Sequence, residues 1–267
     1  MIFDRRGGCG LEDSTAVLMQ TWKDWADVPP ILASAQSTWV EQNPSMQLDL
    51  YDDDRMLAWL ADHPGMVDVD ALRGKSFIRV VDLFRYAYLL VEGGMYVDMD
   101  FVAVRPIDRV LDRGASALLG SVAMPPELSS HSVPNAWMWS PEPGHPVWAV
   151  ALGLASERIG HHSIEFATGP ELIRDAVNIY RRMLASGDMM PIERLLQRYG
   201  VDERRFPDVE VLPVSQLYPV SWSDPDHQSI RAAFRAADRI DADLLATVPM
   251  TKDTVAFTFW YNSWDRD

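Results

Sequence analysis

A chain of 267 residues, 48% of them hydrophobic, has apolar mass enough for one large α/β domain or two small ones. Its 39 acids outweigh 24 bases for a formal net charge of -15. That balance argues against nucleic acid and against a polybasic membrane anchor, since both need clustered Lys and Arg. Cys9 is the only cysteine, which excludes an internal disulfide and a cysteine metal cluster and fits a reducing compartment.

Residues 1–14 are glycine-rich and charged and read as a loose arm; they lack the apolar run of a signal peptide. No stretch approaches the ~20 apolar residues of a spanning helix, so a soluble, cytoplasmic protein is expected. Ala16 to Gln20 reads as a first strand, followed by Thr21-Trp22-Lys23. Pro29-Pro30 opens a helix to about Gln42, and Asn43-Pro44 ends it, because a residue before proline disfavours helix. Met46 to Tyr51 reads as a second strand. Asp52, Asp53 and Asp54 then cap and charge the start of a helix through Leu60, rather than holding a metal.

The most informative stretch is 76–108. Phe77, Val80, Val81, Phe84, Ala87, Tyr88 and Val91 have the spacing of an amphipathic helix. Gly93 and Gly94 stop it, since glycine tolerates left-handed dihedrals. Met95 to Val97 reads as a short buried strand running into Asp98-Met99-Asp100, and a second strand spans Phe101 to Arg105 before Pro106. Two carboxylates at a strand exit point into the crevice beyond the strand ends, where open α/β sheets bind ligands. Like charges so close favour a hard divalent cation, which can also clamp phosphates. Asp82 and Arg85 share one helix face, either as a surface ion pair or as part of the same site.

Ala115 to Gly120 and Asn135 to Trp139 read as strands, and Pro146 to Ser156 as a helix. His161-His162 form no spaced ligand pair and read as loop. Thr168-Gly169-Pro170 opens a helix to about Ala185, either as a plain cap or with amides that meet a ligand oxygen. Residues 191–206 read as helical, Val209 to Leu212 as a late strand and Gln228 to Ala237 as a helix. Val255 to Trp264 carries five aromatic residues in ten positions, too apolar to be left in water. That tail is expected either to close over the Asp98–Asp100 crevice as a lid or to form an ordinary core strand.

Taken together, Asp82-x-x-Arg85-Tyr86, Glu92-Gly93-Gly94-Met95-Tyr96 and Asp98-x-Asp100 resemble the signature of the glycosyltransferases with the DXD sugar-binding region. This is the family 32-like group of the initiating α-mannosyltransferases and the clostridial glucosylating toxins. The likeness is strong over 76–108 and looser over 16–264. It implies a single domain over 1–267 with the GT-A fold, a mixed and mainly parallel sheet flanked by helices, with helical insertions. It implies metal-dependent, retaining transfer of a sugar from a nucleotide-diphosphate donor, a UDP-sugar or GDP-mannose, to a glycan or protein hydroxyl. Catalytic roles would fall on Asp82, Arg85 and Asn135. Donor binding would fall on Gln20, Trp22, Asp82, Arg85, Tyr86, Asp98 and Trp264, with residues 255–267 folding back over the site. Mn2+ or Mg2+ would be held by Asp98, Asp100, Thr258 and Ser263. Gly144-His145-Pro146 also matches the family. Two departures stand out: Met19 where the family often has His, and Thr258 at a histidine position of the C-terminal pattern. Asp98-x-Asp100-x-Val102 also fits the opening motif of haloacid-dehalogenase-like phosphatases, and Thr258 leaves open a non-catalytic sugar-nucleotide-binding protein.

Overall fold

The computed structural model describes residues 16–111, 116–202 and 205–261; the expected N-terminal arm, Ser263 and Trp264 lie outside the described residues. In chain order the elements are β1 (Val17–Thr21), α1 (Pro30–Gln42), β2 (Gln47–Tyr51), α2 (Asp53–Asp62), α3 (Ile78–Val91), β3 (Gly94–Val97), β4 (Phe101–Ala103) and α4 (Asp108–Leu111). Then come β5 (Ala117–Gly120), β6 (Trp137–Ser140), α5 (Pro146–Arg158), α6 (Ile164–Ala167), α7 (Pro170–Ser186) and α8 (Met190–Arg198). The chain continues with β7 (Val209–Leu212), α9 (Val214–Leu217), α10 (Gln228–Ala236), α11 (Ala242–Ala246) and β8 (Ala256–Thr258). No helix among the described residues is long and apolar enough to cross a membrane.

Six strands form one sheet in the order β2-β1-β3-β6-β5-β7. β1 pairs in parallel with β2 and β3, and β5 in parallel with β7, while β6 runs antiparallel to β3 and β5. The sheet is therefore mixed and mainly parallel, with helices around it, as the resemblance implied. Because β6 alone runs backwards, its N-terminal end meets the C-terminal ends of the other five strands along one edge. Side chains alternate across the sheet. Met19, Tyr96, Met138 and Leu119 join the core under α3, α5 and α7, with Phe84, Trp148 and Tyr180. Leu18, Met95, Val97, Leu118 and Trp137 face the other way and pack with Trp39 and Phe101.

Three expectations need correction. The helix before Gly93 is not amphipathic: Arg79, Val80 and every residue from Asp82 to Leu90 are buried, because α3 is covered on several sides by the sheet, α2 and α5. The strand expected over Phe101 to Arg105 is shorter and leaves the main sheet. It pairs antiparallel with the C-terminal β8, Phe101 against Thr258 and Ala103 against Ala256. The helix expected over 191–206 ends at Arg198, where Gly200 takes a φ of 71° that closes its C-terminus.

Asp52 caps α2 as its sequence suggested, its Oδ1 accepting from the Arg55 N–H at 2.8 Å. His145 caps α5 in the same way: its Nδ1 accepts from the Val147 N–H at 3.3 Å. Nε2 then carries the ring proton and lies 3.0 Å from the Asp208 carbonyl oxygen. Burial pushes this imidazole down to about 4 from its ordinary 6.5. Above pH 6.5 the ring is neutral in both states; below it, the unfolded chain takes a proton that the folded chain refuses. His145→Asn keeps a capping oxygen and removes the titration. Between pH 6.5 and 4 the stability of the parent relative to this variant should fall by about 3 kcal/mol, at ~1.4 kcal/mol per pH unit, as read by chemical denaturation. A constant difference across that range would rule out a neutral buried ring.

The glycine pair does more than end α3. Gly93 has φ 72° and Gly94 φ 86°. A Cβ on Gly94 would lie 2.9 Å from the Val17 carbonyl oxygen, and one on Gly93 2.9 Å from the Glu142 carbonyl carbon. Only glycine lets β3 lie against β1 here. Gly94→Ala should destabilise by more than ~2 kcal/mol, since left-handed strain alone is worth about that and the close contact adds to it. A denaturation midpoint equal to the parent's would refute this.

Candidate active site at the strand ends

The site is built from α3 outward. Asp82 and Arg85 lie one turn apart on a helix whose burial leaves neither charge in bulk water, and both are 4% exposed. Asp82 Oδ1 accepts from Asn135 Nδ2 at 2.8 Å, and its Oδ2 from the Thr168 hydroxyl at 2.8 Å. Arg85 Nη2 sits 3.5 Å from Asp82 Oδ1, while Nη1 donates to the Asn135 carbonyl at 2.9 Å and reaches Asp98 Oδ1 at 3.4 Å. The guanidinium also stacks over the Tyr96 ring, 4.3 Å from its centroid. Tyr86 closes the network from behind: its hydroxyl donates to the Thr168 carbonyl at 2.8 Å and accepts from Asn135 Nδ2 at 3.0 Å.

β3 delivers the two other carboxylates. The Asp98 N–H donates to Ala136 O at 2.9 Å and the Phe101 N–H to Asp98 O at 3.1 Å, so a tight turn holds Asp98-Met99-Asp100. The Tyr96 hydroxyl donates to Asp98 Oδ1. Asp100 Oδ2 accepts from the Tyr261 N–H at 2.6 Å, and the Thr258 hydroxyl bonds the same carboxylate. Thr258 Oγ1 in turn accepts from the Trp260 N–H at 2.9 Å. The chain's far end therefore buttresses Asp100 directly.

Two carboxylates, Asp82 and Asp98, thus share one guanidinium, and the charge of Asp98 acts in turn on the third, Asp100. Burial pushes Asp82 up to about 6, against the pull of Arg85 and the hydrogen bonds from Thr168 and Asn135. Burial, and then the charge of Asp98, push Asp100 up to about 7. Asp98 is raised by burial as well, although 35% of its side-chain surface opens to the cleft, because a narrow crevice hydrates a charge poorly. Burial works against the charge of Arg85, yet Tyr96, Asp98 and Asp82 raise its pKa further. The site is short of positive charge.

These groups line a cleft of about 530 Å³ at the sheet edge. Trp22, Asp82, Arg85, Asp98, Asp100, Asn135 and Thr258 of the sequence-derived site all border it. Two others do not. Gln20 is wholly buried, its Oε1 accepting from Gln36 Nε2 at 3.0 Å, and Tyr86 supports the site from beneath. Ser263 and Trp264 fall outside the described residues. Tyr96, Thr168 and the backbone of Tyr261 complete the network; Thr168 carries a signal as the first residue of Thr168-Gly169-Pro170, and Tyr96 closes the Glu92-Gly93-Gly94-Met95-Tyr96 element of the resemblance, though the sequence assigns neither a site role. β8 answers the question of the tail in part. Phe257 and Phe259 are fully buried core, while Thr258, Trp260 and Tyr261 form a wall of the cleft.

Fold and cleft together define an α/β protein with an acidic, ligand-sized crevice at its strand ends. Residues 29–117 match the family model of the glycosyltransferase sugar-binding region containing DXD motif, so the chain carries that region, as its three sequence elements implied. Two curated relatives are initiation-specific α-1,6-mannosyltransferases. That of Candida albicans is 31% identical over 98 residues, covering 34% of this chain and 25% of that protein. That of Saccharomyces cerevisiae is 33% identical over 97 residues, covering 33% and 20%. The chain thus spans a quarter or less of these relatives' length. Among solved structures, the PaToxG glycosyltransferase covers 70% of this chain, and 78% of its own length is matched, at TM-score 0.47 and 15% identity. The galactosyltransferase LgtC, in complex with donor and acceptor sugar analogs, covers 91%, with 86% of its own length matched, at TM-score 0.36 and 10% identity.

Arg85 is the test of the network. Arg85→Lys should lower the unfolding free energy by about 1–3 kcal/mol, because an ammonium cannot meet Asn135 O, Asp82 and Asp98 from one position. A melting temperature equal to the parent's would show that the planar fork is not needed.

Proposed function

We propose that this chain transfers a sugar from a nucleoside-diphosphate donor to an acceptor hydroxyl, with retention at the anomeric carbon. The observation that carries this reading is the meeting of Asp82 and Asp98 at Arg85, with Asp100 beside Asp98, along one cleft inside the DXD sugar-binding region. The bond between C1 of the sugar and the phosphate oxygen breaks, and one between C1 and the acceptor oxygen forms on the same face. The acceptor proton leaves with the diphosphate or to solvent.

The residues fit a hard divalent cation. Asp98 and Asp100 offer carboxylate oxygens at one strand exit, and the cluster needs a further positive charge. Among the described residues no group of three or more His, Cys, Asp or Glu could hold a metal, so these two would be its protein carboxylates, with donor phosphates and water completing the shell. Bound Mn2+ or Mg2+ would neutralise charge on the leaving diphosphate. Thr258 acts on such an ion chiefly through Asp100, whose carboxylate its hydroxyl holds. Asp82 and Arg85 border the donor sugar, with Asn135 fixing both. Trp22 at the exit of β1 suits the nucleobase, and Trp260 and Tyr261 wall the same cleft. UDP-sugars and GDP-mannose are the donors to try first, mannose because it is the sugar in the relatives' names.

A panel of nucleotide sugars with Mn2+ tests this reading. Release of nucleoside diphosphate supports it; release of phosphate from phosphomonoesters instead would install the phosphatase reading. Asp100→Asn should lower metal-dependent turnover by about a hundredfold or more while the protein stays folded, because the metal's charge stabilisation is worth several kcal/mol. Full activity in that variant would remove the metal site.

A further inference from the structure

Among the exposed large hydrophobic residues, Phe77 and Trp222 border the cleft, at 37% and 38% exposed. Trp222 stands on a clamped loop. Ser221 Oγ donates to Ala123 O at 3.2 Å, the Ser221 N–H donates to His227 Nδ1 at 3.0 Å, and Arg231 donates to the carbonyls of Ser221 and Asp224. On the preceding side, Trp260 Nε1 donates to Val220 O at 2.7 Å. An indole more than a third exposed, on a backbone held at both sides, is preorganised for a partner, since little entropy is lost when one arrives. The His131 ring meets Trp222 edge-on at 6.3 Å, and its Nε2 lies 3.5 Å from Glu171 Oε1. A flat apolar face therefore has polar groups along its border.

Topology places this platform. Trp22 follows β1, one strand to one side of β3 and its carboxylates. The loop of Trp222 is tied to Ala123, just after β5, two strands to the other side. At about 4.8 Å per strand the two tryptophans hang from strands roughly 14 Å apart, bracketing Asp98 and Asp100. With the nucleoside at Trp22, Trp222 faces what lies beyond the transferred sugar.

We infer that Trp222, flanked by His131, is the acceptor subsite and that the acceptor is a carbohydrate, whose C–H face stacks on the indole while its hydroxyls meet the polar border. This rests on the transferase reading above. A pyranose presents an apolar face and a hydroxylated edge, which matches a tryptophan with polar neighbours.

The test uses the full chain with Trp222→Ala and Trp222→Tyr. Ligand-detected NMR measures binding of methyl α-mannoside, methyl α-glucoside and methyl α-galactoside, and of a Ser/Thr peptide. Thermal shift with UDP or GDP plus Mn2+ measures nucleotide binding separately. At least one glycoside should bind the parent, Trp222→Ala should weaken it about tenfold, and Trp222→Tyr should keep most of it, with the nucleotide shift equal in all three. Where transfer is measurable, the acceptor KM should rise about tenfold in Trp222→Ala with the donor KM unchanged. Glycoside binding unaffected by Trp222→Ala, or binding of the peptide but no glycoside, overturns the inference. No nucleotide shift in the parent would sink the transferase reading and with it the acceptor role of Trp222, while loss of glycoside binding in Trp222→Ala would then mark a sugar site of another purpose.

Discussion

One guanidinium, Arg85, neutralises a pocket that holds more negative charge than it can balance. Buried ion pairs gain little over apolar packing, but leaving one partner alone is costly, so each piece of this site depends on the others. Asp82 is held by Asn135 and Thr168, Asn135 by Tyr86, and Asp98 by Tyr96. These residues come from α3, β3, the segment before β6 and the start of α7, and the network ties those elements together. Such a pocket stores unmet affinity for a cation, and a ligand bearing phosphates and a metal would meet it.

The fold presents this pocket through a single reversed strand. Because β6 runs against its neighbours, its entering segment lies beside the exits of β3 and β5, which brings Asn135 to Asp82 and Ala136 to Asp98. The glycine pair permits the other half of the arrangement, letting β3 lie close to β1 directly after a buried helix. β8 then seals the site from the far end of the chain: its pairing with β4 sets Thr258 and Tyr261 against Asp100 while Phe257 and Phe259 anchor it in the core. Core strand and cleft wall are the same segment, so the stability of the fold and the placement of Asp100 are coupled.

Sequence and structure agree best where local chemistry decides. Strand positions, the caps at Asp52 and Pro170, and the stop at Gly93-Gly94 follow from side-chain type and backbone preference over a few residues. The three spaced motifs of the resemblance named Asp82, Arg85, Asp98 and Asp100 together, and the structure brings all four to the border of one cleft. Gln20 was misleading because it adjoins Thr21, which borders the cleft, while alternation along β1 turns its own side chain to the opposite face, where its amide meets Gln36 inside the protein.

The sequence by itself determined the order of elements and the central stretch, because turns, caps and periodicity are encoded within a dozen residues. Only the tertiary structure decided that α3 is buried nearly all round, that β4 leaves the main sheet for β8, and that Trp222 borders the same cleft as Trp22. Each of these depends on which surfaces distant segments bury against one another. An amphipathic stripe looks the same whether its polar face meets water or a second layer of protein, and nothing near Asp82 announces Asn135 or Thr168, some 50 and 90 residues further on.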